Sequence, residues 1–252
     1  KNTEEERLLG VSLTGIMDNN ILSKTVDSPR WLQELKAQAI DVNRIYADKL
    51  GVPASAAITC VKPSGTVSQL TDTASGIHAR HSAYYIRTVR GDNKDPLTQF
   101  MKDSGIPAEP CVMKPDSTTV FSFPTKSPSG AVTRDDMTAI EQLELWKNYA
   151  LNWCEHKPSV TITVKDAEWM AVGAWVYENF DICSGISFLP HSDHTYAQAP
   201  YQDIEKEVYE KLKSLMPESI DWSALSLYEK EDTTSGSQTL ACTAGACELV
   251  DI

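Results

Sequence analysis

The chain has 252 residues, 41 % hydrophobic and 23 % charged, which suits one large or two small globular domains with a sizeable core. Its 23 Lys+Arg against 35 Asp+Glu give a net charge of −12, which argues against broad binding to nucleic acid or membrane phosphates. A nucleotide held locally by a few backbone N–H groups stays open. No apolar run approaches the ~20 residues that span a bilayer. KNTEEER does not read as a signal peptide, so the expected location is cytoplasmic with no membrane partner. Lys1 stands where an initiator methionine is usual, so a piece of a longer polypeptide, or a processed or split product, is expected.

Residues 3–22 are acidic and then apolar at helical spacing, with Gly10 and Gly15 allowing close packing. The spacing across 29–50 predicts an amphipathic helix. Pro29 stands near its start, Trp31, Leu32, Leu35, Ala39, Val42, Ile45 and Tyr46 form its apolar face, and Gly51 and Pro53 stop it. ASAAITCV (54–61) suits a buried strand, followed by the turn KPSGT and a short helix ending near Gly76. HSAYYIRTVR (81–90) is a second strand candidate. The proline-rich stretch 92–130 predicts a short helix near Pro96–Ser104 and irregular connections.

A long helix is predicted over 133–155, capped by Thr133, with Asp135 and Asp136 complementing its dipole. SVTITV (159–164) and GISFLP (185–190) predict strands, and 165–180 and 201–216 predict helices. Strands alternating with helices over crossover-length connections point to an α/β architecture with parallel strands. From Ser223 the periodicity fades, and EKEDTTSGSQ (229–238) reads as a flexible linker. The expected organisation is therefore a body over 1–228 and a flexible tail over 229–252.

Two stretches carry chemistry. In Ile58-Thr-Cys-Val-Lys-Pro-Ser-Gly-Thr-Val-Ser-Gln69 a strand leaves into a tight turn and a helix starts at once. Thr66 and Gln69 match a capping box, which would place free N–H groups and a partial positive charge at this turn. Gly65 would let an anion approach the backbone, and Ser64, Thr66 and Ser68 would add hydroxyl donors. It is not a Walker A loop, because Lys62 precedes the glycine. A well-capped strand-to-helix turn with no ligand accounts for these residues equally well. Downstream, His78, Arg80 and His81 lie within four residues, where an arginine or histidine would help neutralise a polyphosphate or simply occupy a polar loop. No third ligand of matching spacing accompanies them, nor His191 and His194, so no metal is expected.

The second stretch is the closing ACTAGACE, with Cys242 and Cys247 separated by four small residues. The other cysteines, Cys60, Cys111, Cys154 and Cys183, are scattered and read as small packed hydrophobes. Six cysteines are too few for a disulfide scaffold, and a structural bridge closing so short a loop would remove little unfolded-chain entropy. A zinc site would need two more ligands. The pair shows deliberate spacing and sits on a tether, with Gly245 and small residues beside the sulfurs.

LLGVSLTGIMD, KPSGTVSQLTDTASGIHARHSAYYIRTVR, HKPSVTITV, GISFLPHSDHTYAQAPYQDI and ACTAGACE, in this order, resemble the C-terminal part of a ribonucleotide reductase catalytic chain. The resemblance is to the monomeric, adenosylcobalamin-dependent (class II) type. It implies the C-terminal part of a ten-stranded α/β barrel with a flexible C-terminal tail, carried over by analogy of fold. It further implies that Pro63, Ser64, Gly65, Thr66, Val67 and Ser68 hold the substrate phosphates, and that Cys242 and Cys247 re-reduce the active-site disulfide with electrons from a thioredoxin-like reductant.

The implied reaction converts ribonucleotides, in this branch triphosphates, to deoxyribonucleotides through a cobalamin-initiated thiyl radical. The family's radical cysteine has no counterpart here, since no Asn-x-Cys-x-Glu-like segment occurs. The chain is therefore expected to need an N-terminal portion, covalent or separate. Tyr84-Tyr85 lies only 16 residues after Ser68 and reads as ordinary strand residues, not the radical relay of a class I chain. A non-catalytic nucleotide-binding or accessory module of the same ancestry, or the matching part of a class I large subunit, are the alternatives.

Overall fold

The computed structural model describes residues 2–191 and 196–229, and the backbone of 242–243 and 246–247. In chain order these form α1 (Asn2–Glu6), β1 (Leu8–Ser12), α2 (Ser28–Leu50), β2 (Ala57–Cys60), α3 (Val67–Leu70), β3 (Tyr84–Asp92), α4 (Pro96–Asp103) and β4 (Ala108–Pro110). Then follow β5 (Thr118–Lys126), α5 (Ala139–Asn152), β6 (Val160–Val164), α6 (Trp169–Glu178), β7 (Ile186–Pro190), β8 (Tyr201–Asp203), α7 (Lys206–Leu215), β9 (Cys242–Thr243) and β10 (Ala246–Cys247). The mixed α/β class is as expected. The chain divides into two compact units, Lys1–Arg80 with Gly130–His191, and His81–Ser129 with Ser192–Ile252.

In the first unit β1 pairs in parallel with β2, and β6 in parallel with β7. Parallel neighbours need a helical crossover, and α2 and α6 supply one for each pair. The stretch between α5 and β6 joins the pairs. Glu155 N–H donates to Thr59 O at 2.9 Å, and Ser159 N–H to Val61 O at 3.2 Å. Glu155 Oε2 also accepts the Ile58 N–H at 2.9 Å. The core forms where α5 lies on β6: Leu143, Trp146 and Tyr149 meet Ile162, Val164 and Leu32 of α2, all fully buried. The polar atoms carried inside are paired, with Trp146 Nε1 donating to Pro158 O at 3.1 Å and the Tyr149 hydroxyl to Leu22 O at 3.0 Å.

The second unit is built on an antiparallel sheet in the order β4-β5-β3-β8. Phe100, Met101 and Ile106 pack on Phe121 beneath it. The 3-10 segment Trp222–Leu227 packs on this core through Ala224 and Leu225.

Several expectations fail for identifiable reasons. No helix covers 3–22. The chain turns at Arg7 (φ 49), LLGVS becomes a strand, and Gly15 (φ 72) starts a 3-10 turn at Ile16. So short an apolar run fits either period, and the ladder to β2 decides it. The strand β5 lies inside the stretch predicted as irregular. Pro124 masked it, yet Pro124 pairs with Ile86 beyond the reach of β4, which covers only Thr119 to Phe121. A proline is tolerated where no second neighbour needs its N–H.

The long α5 starts at Thr138, not Thr133, because Thr138 and Glu141 form a full capping box. Thr133 instead closes its own turn, its N–H and hydroxyl both donating to Asp136 Oδ2 at 2.8 Å. The strands are parallel only in the first unit. The predicted helix 201–216 begins at Lys206, since Tyr201–Asp203 joins the sheet.

The helix over 29–50 forms as Ser28–Leu50, ended by Gly51 in the left-handed conformation. Its predicted apolar face is not a core face, however. Only Leu32 is fully buried, while Leu35, Val42, Ile45, Trp31 and Tyr46 are 41 % to 57 % exposed.

Candidate functional site

Pro63 to Ser68 leave the C-terminal end of β2 and enter α3, as the strand-to-helix reading required. The capping box read at Thr66 and Gln69 does not form. Thr66 is already helical (φ −105, ψ −51) and its side chain makes no cap bond. The turn is held by Ser68, whose N–H and hydroxyl both donate to Ser64 O. The first N–H groups of a helix have no partner within it, and here they belong to an exposed segment, Gly65 to Val67. A methyl group built on Gly65 meets nothing within 4 Å, so the backbone is open to an approaching group.

Behind the loop stands a compact hydroxyl network. The Thr14 and Ser64 hydroxyls lie 2.6 Å apart, and the Gly76 N–H donates to both, at 2.9 Å and 2.8 Å. Ser75 Oγ stands 3.5 Å from Ser64 Oγ. Gly76 must be glycine for two reasons: its φ is +55, and a Cβ would stand 3.1 Å from Lys62 O. On the loop's other flank a cleft of about 330 Å³ is lined by Leu8, Cys60, Lys62, Pro63, His156 and Lys157 among others. Its two lysines give the flank a positive character.

The three auxiliary candidates part company. His78 is held between Ser75 O, 3.1 Å from Nδ1, and the Thr161 N–H, which donates to Nε2 at 3.0 Å. That arrangement fixes a neutral ring protonated at Nδ1. Burial pushes its pKa below the usual histidine value, against the Ser75 carbonyl, which acts to raise it. His78 therefore ties β6 to the 75–78 turn. Arg80 is 5 % exposed and its guanidinium forks onto Asp18 and Asp72. His81 belongs to the second unit, where Nε2 lies 2.8 Å from Asp203 Oδ1 and the ring stacks on Tyr201. Tyr84 and Tyr85 are ladder residues of β3, opposite Lys126 and Thr125.

Most of the tail, with the linker 230–241, lies outside the described residues. Its described backbone is informative all the same. β9 and β10 pair antiparallel with Cys242 directly opposite Cys247. Directly opposed residues have Cα atoms about 4.5–5.5 Å apart, which falls in the range a disulfide spans. His194 also lies outside the described residues, while His191 Nε2 lies 2.8 Å from Asp135 Oδ1. No group of three or more His, Cys, Asp or Glu suited to a metal occurs among the described residues.

Of the scattered thiols, Cys154 fits the packed reading: burial pushes it up to about 12. Cys111 departs from it. Burial raises its pKa, but the Lys114 and Met113 N–H groups and Arg90 outweigh that and leave it below the usual thiol value. Sequence reasoning missed Thr14, Asp18, Asp72 and Ser75, which lie in quoted motifs but follow no spacing that marks them.

Parallel strand pairs with helical crossovers, and a hydroxyl-rich loop leaving a strand end, define an α/β protein with a candidate anion site. No family model matches the chain. The adenosylcobalamin-dependent ribonucleoside-triphosphate reductase of Euglena gracilis is 29 % identical over 248 residues, covering 96 % of this chain and 33 % of the relative. Its counterpart from Lactobacillus delbrueckii subsp. bulgaricus is 28 % identical over 278 residues, covering 98 % and 37 %. The crystal structure of a B12-dependent (class II) ribonucleotide reductase superposes with a TM-score of 0.75 at 24 % identity, over 91 % of this chain and 36 % of that one. The fold is therefore shared with part of that enzyme, and the resemblance read from the motifs holds over nearly the whole chain. The chain spans about a third of the length of the curated relatives it matches.

Proposed function

We propose that the chain is the C-terminal portion of an adenosylcobalamin-dependent ribonucleoside-triphosphate reductase. It supplies the substrate phosphate loop, part of a ten-stranded barrel wall and the dithiol that regenerates the active site. The observation that carries this reading is the loop Pro63–Ser68, open at Gly65 and braced from behind by Thr14, Ser64 and Gly76. Exposed amides at a helix start, flanked by lysines, suit an anionic phosphate ester. The opposition of Cys242 and Cys247 supports a dithiol that closes and reopens.

The need for an N-terminal portion is supported by the unfinished surfaces of the first unit. Among the described residues, β1 and β7 each pair on one edge only. Leu8, Leu9 and Val11 of β1 are 40 % to 54 % exposed, as is the apolar face of α2. Such surfaces usually lie against another part of the protein. The cofactor supplies the radical in the complete enzyme. The described residues present no donor cluster for cobalt and none is assigned to the corrin.

Turnover is tested by mixing the chain with a separately produced N-terminal portion, adenosylcobalamin, ribonucleoside triphosphates and a dithiol. Deoxynucleotide formed only in the complete mixture is expected. None under any condition refutes the catalytic reading and leaves a nucleotide-binding or accessory module. Within the reconstituted enzyme, Cys242→Ser is expected to stop turnover with thioredoxin and spare it with a small dithiol. Equal loss with both reductants refutes the shuttle.

A further inference from the structure

Arg80 is 5 % exposed, and its side chain bonds to Asp18 and Asp72 of the first unit. Nε and Nη2 donate to the two carboxylate oxygens of Asp18 at 3.2 Å and 3.0 Å, a two-pronged pair. Nη2 also donates to the backbone carbonyl of Asp72 at 2.6 Å, and Nη1 to its carboxylate at 3.3 Å. The Asp72 side chain is 80 % exposed, so its carboxylate adds little. The bond to the Asp72 carbonyl is the important one.

Asp72 has φ +48, a left-handed conformation that costs a residue with a Cβ more than it costs glycine. Two neighbours of the turn depend on the same cluster. Asp18 Oδ2 accepts the Ala74 N–H at 2.7 Å. Ala74 O in turn accepts the Gly15 N–H at 2.8 Å, next to Thr14. Two residues on, Gly76 N–H donates to the Thr14 and Ser64 hydroxyls.

We propose that Arg80 is a positioning residue for the phosphate loop: by clamping Asp72 in its left-handed conformation and orienting Asp18, it fixes the 72–76 turn that braces Ser64. This rests on the phosphate-loop reading above and assigns Arg80 no contact with the anion. A guanidinium already shared between the Asp18 carboxylate and a backbone carbonyl has little to offer a phosphate. The route runs through backbone geometry, and that makes it separable from direct contact. Glycine adopts φ +48 without strain, so glycine at position 72 should make the clamp dispensable. Were Arg80 a direct ligand, the same change would recover nothing.

The 252-residue chain is titrated with inorganic tripolyphosphate by calorimetry at low salt, well below the unfolding temperature of each variant. Arg80→Ala is expected to bind about tenfold more weakly than wild type, or about 1.4 kcal/mol. Arg80→Ala/Asp72→Gly is expected to recover most of that loss, and Arg80→Ala/Asp72→Ala none of it. Where Arg80→Ala does not fold, Arg80→Lys keeps the charge without the fork, and several-fold weaker binding is expected from it. Absence of saturable binding by the wild-type chain overturns the phosphate-loop reading and this inference with it. Binding by wild type that is undiminished in the Arg80 variants, or equal in the two double variants, overturns the inference alone. A purely structural arginine would lower the unfolding temperature and leave the rescue pattern flat.

Discussion

Gly76→Ala separates two costs that a glycine in a turn can hide. Gly76 and Gly51 both have positive φ, +55 and +67, so alanine at either site should lose about 1 kcal/mol for its backbone conformation. The surroundings differ. A Cβ at Gly51 meets nothing within 4 Å, whereas at Gly76 it stands 3.1 Å from the backbone oxygen of Lys62. That oxygen belongs to the strand-to-loop junction and cannot swing aside as a side chain would. Overpacking of this kind typically costs a further 1–3 kcal/mol, roughly. Urea unfolding should therefore give about 1 kcal/mol for Gly51→Ala and about 2–4 kcal/mol for Gly76→Ala. Tripolyphosphate binding should weaken only in the second, because the Gly76 N–H holds the Thr14 and Ser64 hydroxyls. Equal destabilisation by the two substitutions would refute the close-approach account of Gly76.

Three further outcomes are expected. Because burial lowers the folded pKa of His78 below its ordinary 6.5, the unfolded chain binds the proton more readily. Stability from this group is then full above pH 6.5 and falls as pH drops toward the folded value. His78→Gln should flatten that part of the stability-versus-pH curve, and an unchanged slope would contradict the assignment. Thr138→Ala removes the acceptor of the Glu141 N–H (3.2 Å) and should cost about 1 kcal/mol in the same unfolding assay. Cys154, buried and pushed up to about 12, should stay unmodified by iodoacetamide at pH 8 in the folded chain and react once urea unfolds it, as read by peptide mass spectrometry.

The parts legible in the sequence were those where one local rule dominates. Pro29 and Gly51 bracket α2, the β-branched run SVTITV makes β6, and Pro63-Ser-Gly places a turn after β2. The misreadings came where two local signals competed. Thr133 and Thr138 both carry an acidic residue three positions on, and the full capping box forms only at Thr138, while Thr133 closes a separate turn. LLGVS satisfies helix and strand alike. Of the candidate site, the loop itself was legible, but the supporting cluster was not. Thr14, Asp18, Asp72 and Gly76 are separated by up to 62 residues, and nothing in their spacing announces a shared hydrogen-bond network.

What the sequence determined by itself, then, was local: which short runs bend, which proline and glycine bracket a helix, and that two cysteines stand four small residues apart. The family likeness followed from the order of those runs. Only the tertiary structure decided which groups Arg80 bonds, that most of the α2 stripe lies outside the core of the first unit, and that His78 is a neutral tie between two segments. A side chain's role depends on the dielectric and the partners around it, and those are supplied by residues far away in the chain.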